Sequence, residues 1–149
     1  MIELVTSNNI RRAAEVHAIS WRDSHRDICN EDFIALHTTE RQIGYLQRQM
    51  EKGADIYLLS DLGKDLGIVS VLGDLIGDLY VRPDEQGRGY GTRLLQFAVE
   101  KCTGSPTLWV LNSNQRAIRL YERNGFQLTG EKEILSDTLA ELEMKMVLS

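Results

Sequence analysis

Leu75-Ile-Gly-Asp-Leu-Tyr-Val-Arg-Pro-Asp-Glu-Gln-Gly-Arg-Gly-Tyr-Gly-Thr92 decides how this chain is read. An apolar run from Leu75 to Val81 gives way at Pro83 to a turn with glycines at 87, 89 and 91, and the residues beyond it follow helical spacing. Strand, glycine turn and helix in that order make an anion cradle. Glycine at 87, 89 and 91 allows positive φ and leaves no Cβ between the peptide N–H groups and a ligand. The helix N-terminus adds unpaired donors and a favourable dipole. A phosphate-bearing ligand is what such a turn is built to hold.

Working outward, Glu3 to Val5 reads as a short strand, and Ser7-Asn8-Asn9 offers capping oxygens before a helix with Ile10, Ala13, Ala14, His17, Ala18 and Trp21 on one face. A polar loop follows. Thr39 with Gln42 reads as a capping box for a second helix, whose stripe is Ile43, Leu46 and Met50 and whose stop is Gly53. Ile56–Leu59, Leu66–Leu72 and Leu75–Val81 then form an antiparallel meander. After the glycine turn, Leu94, Leu95, Ala98, Val99 and Cys102 mark a helix face ended by Gly104 and Pro106, and Thr107–Leu111 is a buried strand. Ala117, Leu120, Tyr121 and Asn124 mark a further helix, and two strands flank Ser136-Asp137. The expected fold is a mixed α/β domain of the α+β type. No linker rich in Pro, Gly or Ser interrupts it, so residues 1–149 are expected to form a single domain.

A chain of 149 residues with 42% hydrophobic and 26% charged residues is long enough to bury a sizeable core. The net charge of −5 argues against general nucleic-acid binding, which relies on clustered Lys and Arg. Six of the twelve arginines nevertheless fall between Arg82 and Arg123, a basic region in an acidic protein. No segment approaches the roughly 20 apolar residues that span a bilayer, and the first residues lack a basic start with a long apolar run. The expectation is a cytoplasmic protein with no membrane partner. Cys29 and Cys102 lie far apart and read as free thiols, and His17, His25 and His37 lack ligand spacing, so no metal is expected.

Two familiar phosphate loops fail here. The dinucleotide fingerprint would need a third glycine or alanine where Thr92 stands, and the nucleotide-triphosphate loop needs a lysine, absent between Lys64 and Lys101. Gln86-Gly87-Arg88-Gly89-Tyr90-Gly91 fits instead the pattern Gln/Arg-x-x-Gly-x-Gly/Ala after a strand. Further on, Leu108-Trp109-Val110-Leu111 precedes Asn114-x-x-Ala117-x-x-Leu120-Tyr121-x-x-x-Gly125-Phe126. On these motifs the chain resembles the GCN5-related N-acetyltransferase (GNAT) superfamily, most specifically from Leu66 to Phe126.

That resemblance implies a mixed, mostly antiparallel sheet splayed into a V, with helices on both faces and acetyl-CoA wedged between Leu75–Val81 and Thr107–Leu111. It implies that the strand edge at Leu79 and Val81 binds the pantetheine arm, that the amides of Gly87, Arg88, Gly89, Tyr90, Gly91 and Thr92 hold the pyrophosphate, and that Gln86 and Arg88 add side-chain contacts. Asn114 gains a cofactor contact, though it serves equally as a helix cap. Tyr121 becomes the general acid for the departing thiolate, since tyrosine stays protonated at neutral pH. On spacing alone it would be a core aromatic.

An ammonium cannot attack a thioester, so a proton must leave the amine acceptor. Asp78, in the strand facing the cofactor, is the candidate base; a solvated strand aspartate is the alternative. Trp21 is a candidate substrate-binding residue because the first helix often borders the acceptor site in this superfamily. The acidic surface suits a cationic amine, small molecule or peptide. Dimers are common among proteins of this kind, so a homodimer is an open expectation. The reading is an N-acetyltransferase acting by direct attack, and the alternative is an acyl-CoA-binding regulatory module with little turnover.

Overall fold

The computed structural model describes residues 1–137 and 139–146. Its seven strands are β1 (Ile2–Leu4), β2 (Asp55–Asp61), β3 (Lys64–Leu72), β4 (Leu75–Val81), β5 (Thr107–Leu111), β6 (Phe126–Ile134) and β7 (Ala140–Met146). They form one sheet in the order β1-β2-β3-β4-β5-β7-β6, antiparallel except for the parallel β4–β5 pair. Helices α1 (Ile10–Ser24) and α3 (Thr39–Glu51) pack on one face around Ile56, Leu58 and Ile68; a short α2 (Glu31–Ala35) lies between them in sequence. Helices α4 (Tyr90–Lys101) and α5 (Gln115–Arg123) cover the other face around Leu59, Val69, Ile76 and Leu108.

Two covered faces explain why β3 is apolar without alternation: Leu66 to Val71 are all buried, as in any strand sandwiched between helices. Gly67 in that run sits where α4 crosses closest to the sheet. A Cβ there would stand 2.7 Å from Leu94 Cδ1 and 2.7 Å from the Tyr80 carbonyl oxygen, so only glycine admits this approach.

Two features of β4 create the site. Pairing with β5 is confined to Leu75↔Thr107 and Ile76↔Leu108, after which the strands part and leave a wedge between them. Opposite β3, the register steps from Ser70↔Gly77 to Ile68↔Tyr80, three residues of β4 against two of β3. The extra residue makes a bulge that contains Asp78, whose φ is +47°. A left-handed non-glycine residue costs about 1–2 kcal/mol, with aspartate among the better tolerated.

Local readings needed correction in four places. The polar loop contains α2, capped by Asn30, whose Oδ1 accepts from the amides of Asp32 at 2.8 Å and Phe33 at 3.4 Å. Helix α3 is capped by Thr38, which accepts from the Arg41 amide at 3.2 Å; Thr39 is its first residue, and Gln42 turns inward to His17 rather than back to the cap. Asn9 stands at the start of α1, but its Oδ1 accepts from the Thr6 amide instead of a helix amide. Cys102 lies just past the end of α4.

Candidate functional site: a glycine cradle and a split between strands

The cradle begins with a 3₁₀ turn at Pro83–Glu85 and ends in the first turn of α4. Gly87 has φ +81° and Gly89, at the N-cap of α4, φ +86°, so both need glycine for conformation. Gly91 does not share that reason, contrary to the sequence reading. It lies inside α4, where a Cβ would stand 3.5 Å from Leu120 Cδ2, and its smallness lets α4 and α5 approach. The Arg93 amide bonds the Gly89 carbonyl at 3.0 Å, which opens the helical ladder, so the amides of Tyr90, Gly91 and Thr92 precede any helical acceptor. These donors and the dipole fit a pyrophosphate.

Side chains around the cradle are tied to the protein. Glu85 is 5% exposed and pairs with Lys64, while Arg88 Nη1 lies 3.7 Å from Glu85 Oε2 with its side chain largely in solvent. Gln86 donates from Nε2 to the Val81 carbonyl at 3.2 Å and accepts from Arg116 Nη1 at 3.0 Å, bridging β4 to α5. Leu79 and Val81 follow the last β5-paired residue of β4 and lie along the split. Asn114 caps α5, its Oδ1 accepting from the Ala117 amide at 3.1 Å.

Tyr121, on α5, is 8% exposed and packs 6.1 Å from the Phe126 ring. Its hydroxyl has no hydrogen-bond partner among the described residues, and burial pushes its pKa up to about 12. Asp78 shows the opposite arrangement. Its Oδ1 accepts from the Tyr45 hydroxyl at 2.9 Å and lies 3.4 Å from His17 Nε2, and its Oδ2 accepts from Ser70 Oγ at 3.2 Å. The carboxylate therefore faces α1 and α3, with 14% of the side chain exposed.

Tyr80, edge-on to the His17 ring at 5.0 Å, lies beside the Asp78 cluster. Burial pushes its hydroxyl well above the ordinary range, and the charges of Asp78, Tyr45, Tyr121 and Glu141 push the same way. Tyr45 is raised too, first by burial and then by Asp78. Glu141 on β7 is raised by burial and by Glu133, its partner across the β6–β7 ladder. His17, Tyr45, Ser70 and Glu141 were not singled out as site residues from sequence. The one visible signal was a histidine within an Ile/Ala stripe.

Trp21 lies one helical turn beyond His17. Its indole is stacked on both faces, by His25 at 3.9 Å and His37 at 3.5 Å between centroids, with Phe33 edge-on at 6.0 Å. Only the ring edge remains open to a neighbour. Burial lowers the pKa of both histidines first, and the backbone carbonyls of Trp21 and Phe33 oppose that shift. No group of three or more metal-ligating side chains occurs among the described residues, and none of their helices is long and apolar enough to cross a membrane.

Residues 30–128 match the family described as "Acetyltransferase (GNAT) domain". The chain belongs to the GNAT family. A curated relative, peptidyl-lysine N-acetyltransferase YjaB of Salmonella typhimurium, is 29% identical over 76 residues, covering 51% of this chain and 52% of that protein. The match thus spans about half of each. Among solved structures, the PaiA N-acetyltransferase of Thermoplasma acidophilum in complex with coenzyme A superposes with a TM-score of 0.73 at 16% identity, over 99% of both chains. YncA of Salmonella typhimurium, solved with acetyl-CoA, gives 0.69 at 18% identity over 100% of this chain and 94% of its own. At such identities the superpositions show the GNAT fold: an open, mostly antiparallel sheet flanked by helices.

Proposed function

We propose that this GNAT protein is an acetyl-CoA-dependent N-acetyltransferase that acetylates a primary amine by direct attack. One observation carries the reading: a donor-rich glycine cradle opens at the start of α4, beside a buried tyrosine on α5 whose hydroxyl has no hydrogen-bond partner among the described residues and next to a strand, β4, that carries a fixed carboxylate.

Acetyl-CoA supplies an activated acetyl thioester and leaves as a thiol. The amides of Gly87 through Thr92 hold its pyrophosphate, with Gln86, Arg88 and Asn114 at the border. The edge of β4 at Leu79 and Val81 binds the pantetheine arm. Tyr121 carries a proton with no internal acceptor and donates it to the leaving sulfur. Asp78 anchors the acceptor ammonium and takes its proton. The cradle belongs to the α4–α5 face and Asp78 to the α1–α3 face, so the split joins cofactor to acceptor. Trp21, held in its ring stack, borders the acceptor side through its edge. The relative's peptidyl-lysine specificity and the acidic net charge both agree with a cationic amine.

Thiol release from acetyl-CoA, measured with polyamines, aminoglycosides, amino acids and lysine peptides, tests the proposal. Amine-dependent release that is lost in Tyr121→Phe supports it. Tight acetyl-CoA binding with no turnover on any of these amines would instead make the protein an acyl-CoA-binding module.

A further inference from the structure

His17 is the least expected member of the site. It is 2% exposed on the buried stripe of α1, yet each ring nitrogen has a polar neighbour. Nδ1 accepts from Gln42 Nε2 at 2.6 Å, which leaves the proton of a neutral imidazole on Nε2, pointing at Asp78 Oδ1 3.4 Å away. The ring is clamped as well, stacked on Tyr45 at 5.2 Å and edge-on to Tyr80 at 5.0 Å. Gln42 is itself 3% exposed and spends its amide on this contact. A buried Gln–His pair has no value to an apolar core, where Leu and Phe would pack without desolvating polar atoms.

The target of this chain of bonds is the strained residue. Asp78 stands at φ +47° on a bulge, in a conformation that the surroundings must enforce. Tyr45 from α3, Ser70 from β3 and His17 from α1 reach it from three elements. A carboxylate offers about four acceptor positions. Three are claimed, and the remainder is the part left to solvent.

We propose that His17, fixed by Gln42, is a positioning residue that aims the free lone pair of Asp78 at the acceptor ammonium. The proposal rests on the acetyltransferase reading and assigns to α1 and α3 a part in acceptor recognition. It separates the two substrates: loss of His17 loosens the seat of the amine and leaves the acetyl-CoA cradle intact.

The test compares wild type with His17→Phe, His17→Gln and Gln42→Leu, using spermidine and a lysine peptide as probes, with acetyl-CoA affinity measured by calorimetry. His17→Phe keeps the ring and removes the donor, and His17→Gln restores an N–H near the Nε2 position. The expected result is a fall of about 10- to 100-fold in kcat/KM for the amine in His17→Phe, the scale of a misplaced catalytic group. Acetyl-CoA affinity stays within about twofold, and His17→Gln recovers most of the loss. A folded His17→Phe with wild-type kinetics, or one that His17→Gln fails to rescue, overturns the proposal. Should His17→Phe not fold, Gln42→Leu decides: a lowered amine kcat/KM supports the proposal, and wild-type kinetics overturn it. If the wild type turns over neither these two amines nor any other of the amine panel, the acetyltransferase reading is what fails. Long-range ¹H–¹⁵N spectra then judge the pair alone, with Nε2 protonated and Nδ1 bare as expected and the reverse tautomer contradicting it.

Discussion

The two walls of the split are built on opposite plans. On the β4 wall Asp78 is held by partners from three elements in a strained backbone, while on the α5 wall Tyr121 is a buried residue whose hydroxyl has no hydrogen-bond partner among the described residues. A carboxylate surrounded by donors has a fixed direction and only one vacancy. A hydroxyl with no protein acceptor keeps a proton that a ligand can claim. In the proposed reaction the contrast suits two tasks: seating a cationic amine and protonating a leaving thiolate.

Tyr121→Phe should give the largest effect, because it removes the hydroxyl proton that the proposed reaction hands to the leaving sulfur. The expected loss is about 10²–10³-fold in kcat, with acetyl-CoA affinity nearly unchanged, read from steady-state rates and calorimetry. With the Tyr121 pKa near 12, the acid form persists well beyond neutrality, so no alkaline fall in kcat between pH 7 and about 10 should be traceable to this residue. An alkaline limb in that range that disappears in Tyr121→Phe would show a more acidic hydroxyl and erase the contrast between the walls.

Asp78→Asn is the matching change on the other wall. Asparagine accepts the left-handed backbone, so strain is little altered and charge is what changes. An approximately 10- to 100-fold loss in kcat/KM for the amine is expected, with acetyl-CoA binding retained. If the cofactor affinity falls instead, the two walls do not divide the substrates between them. Gly89→Ala probes the cradle beneath both walls. At φ +86° a Cβ costs about 1–2 kcal/mol; a cradle that relaxes to shed this strain must take it up again on binding, which predicts up to roughly tenfold weaker acetyl-CoA binding, measurable by calorimetry, without a change in amine selectivity.

The same contrast governs what the sequence could reveal. The cradle is local: its glycines, the preceding strand and the following helix are contiguous, so Gln86 to Thr92 could be read from order alone. Tyr121 and Asn114 were legible as a spaced motif on a single helix. Of the carboxylate's seat, only Asp78 itself could be picked out, because its donors come from residues 8, 33 and 61 positions away. Gln42 shows why: its spacing from Thr39 satisfied a capping rule, and a buried histidine from another helix prevailed over that local bond. The bulge that turns Asp78 toward α1 is likewise a product of strand pairing, which no periodicity in β4 announces.

At the closed end of the split the walls are clasped by Asp74, between β3 and β4. Its Oδ1 accepts from the Gly104 amide at 2.6 Å, the Thr103 amide at 2.9 Å and the Thr103 hydroxyl at 3.2 Å, and its carbonyl accepts from the Thr107 amide at 2.8 Å. The bond from Gly104, foremost, and those from Thr103 hold the carboxyl below its ordinary value of 3.8. A carboxyl depressed in the folded state stabilises fully above the unfolded value, and that contribution disappears as pH falls through the folded value. Asp74→Asn should therefore lower the melting temperature by a constant amount above about pH 5, and the gap to wild type should close below pH 3.8. Of the changes considered, this should have the smallest effect at neutral pH, because the group is open to water. It is also the one that acts on the hinge of both walls at once: a gap that persists unchanged into acid would show that neutral side-chain packing, and not the ionised carboxylate, closes the vertex of the split.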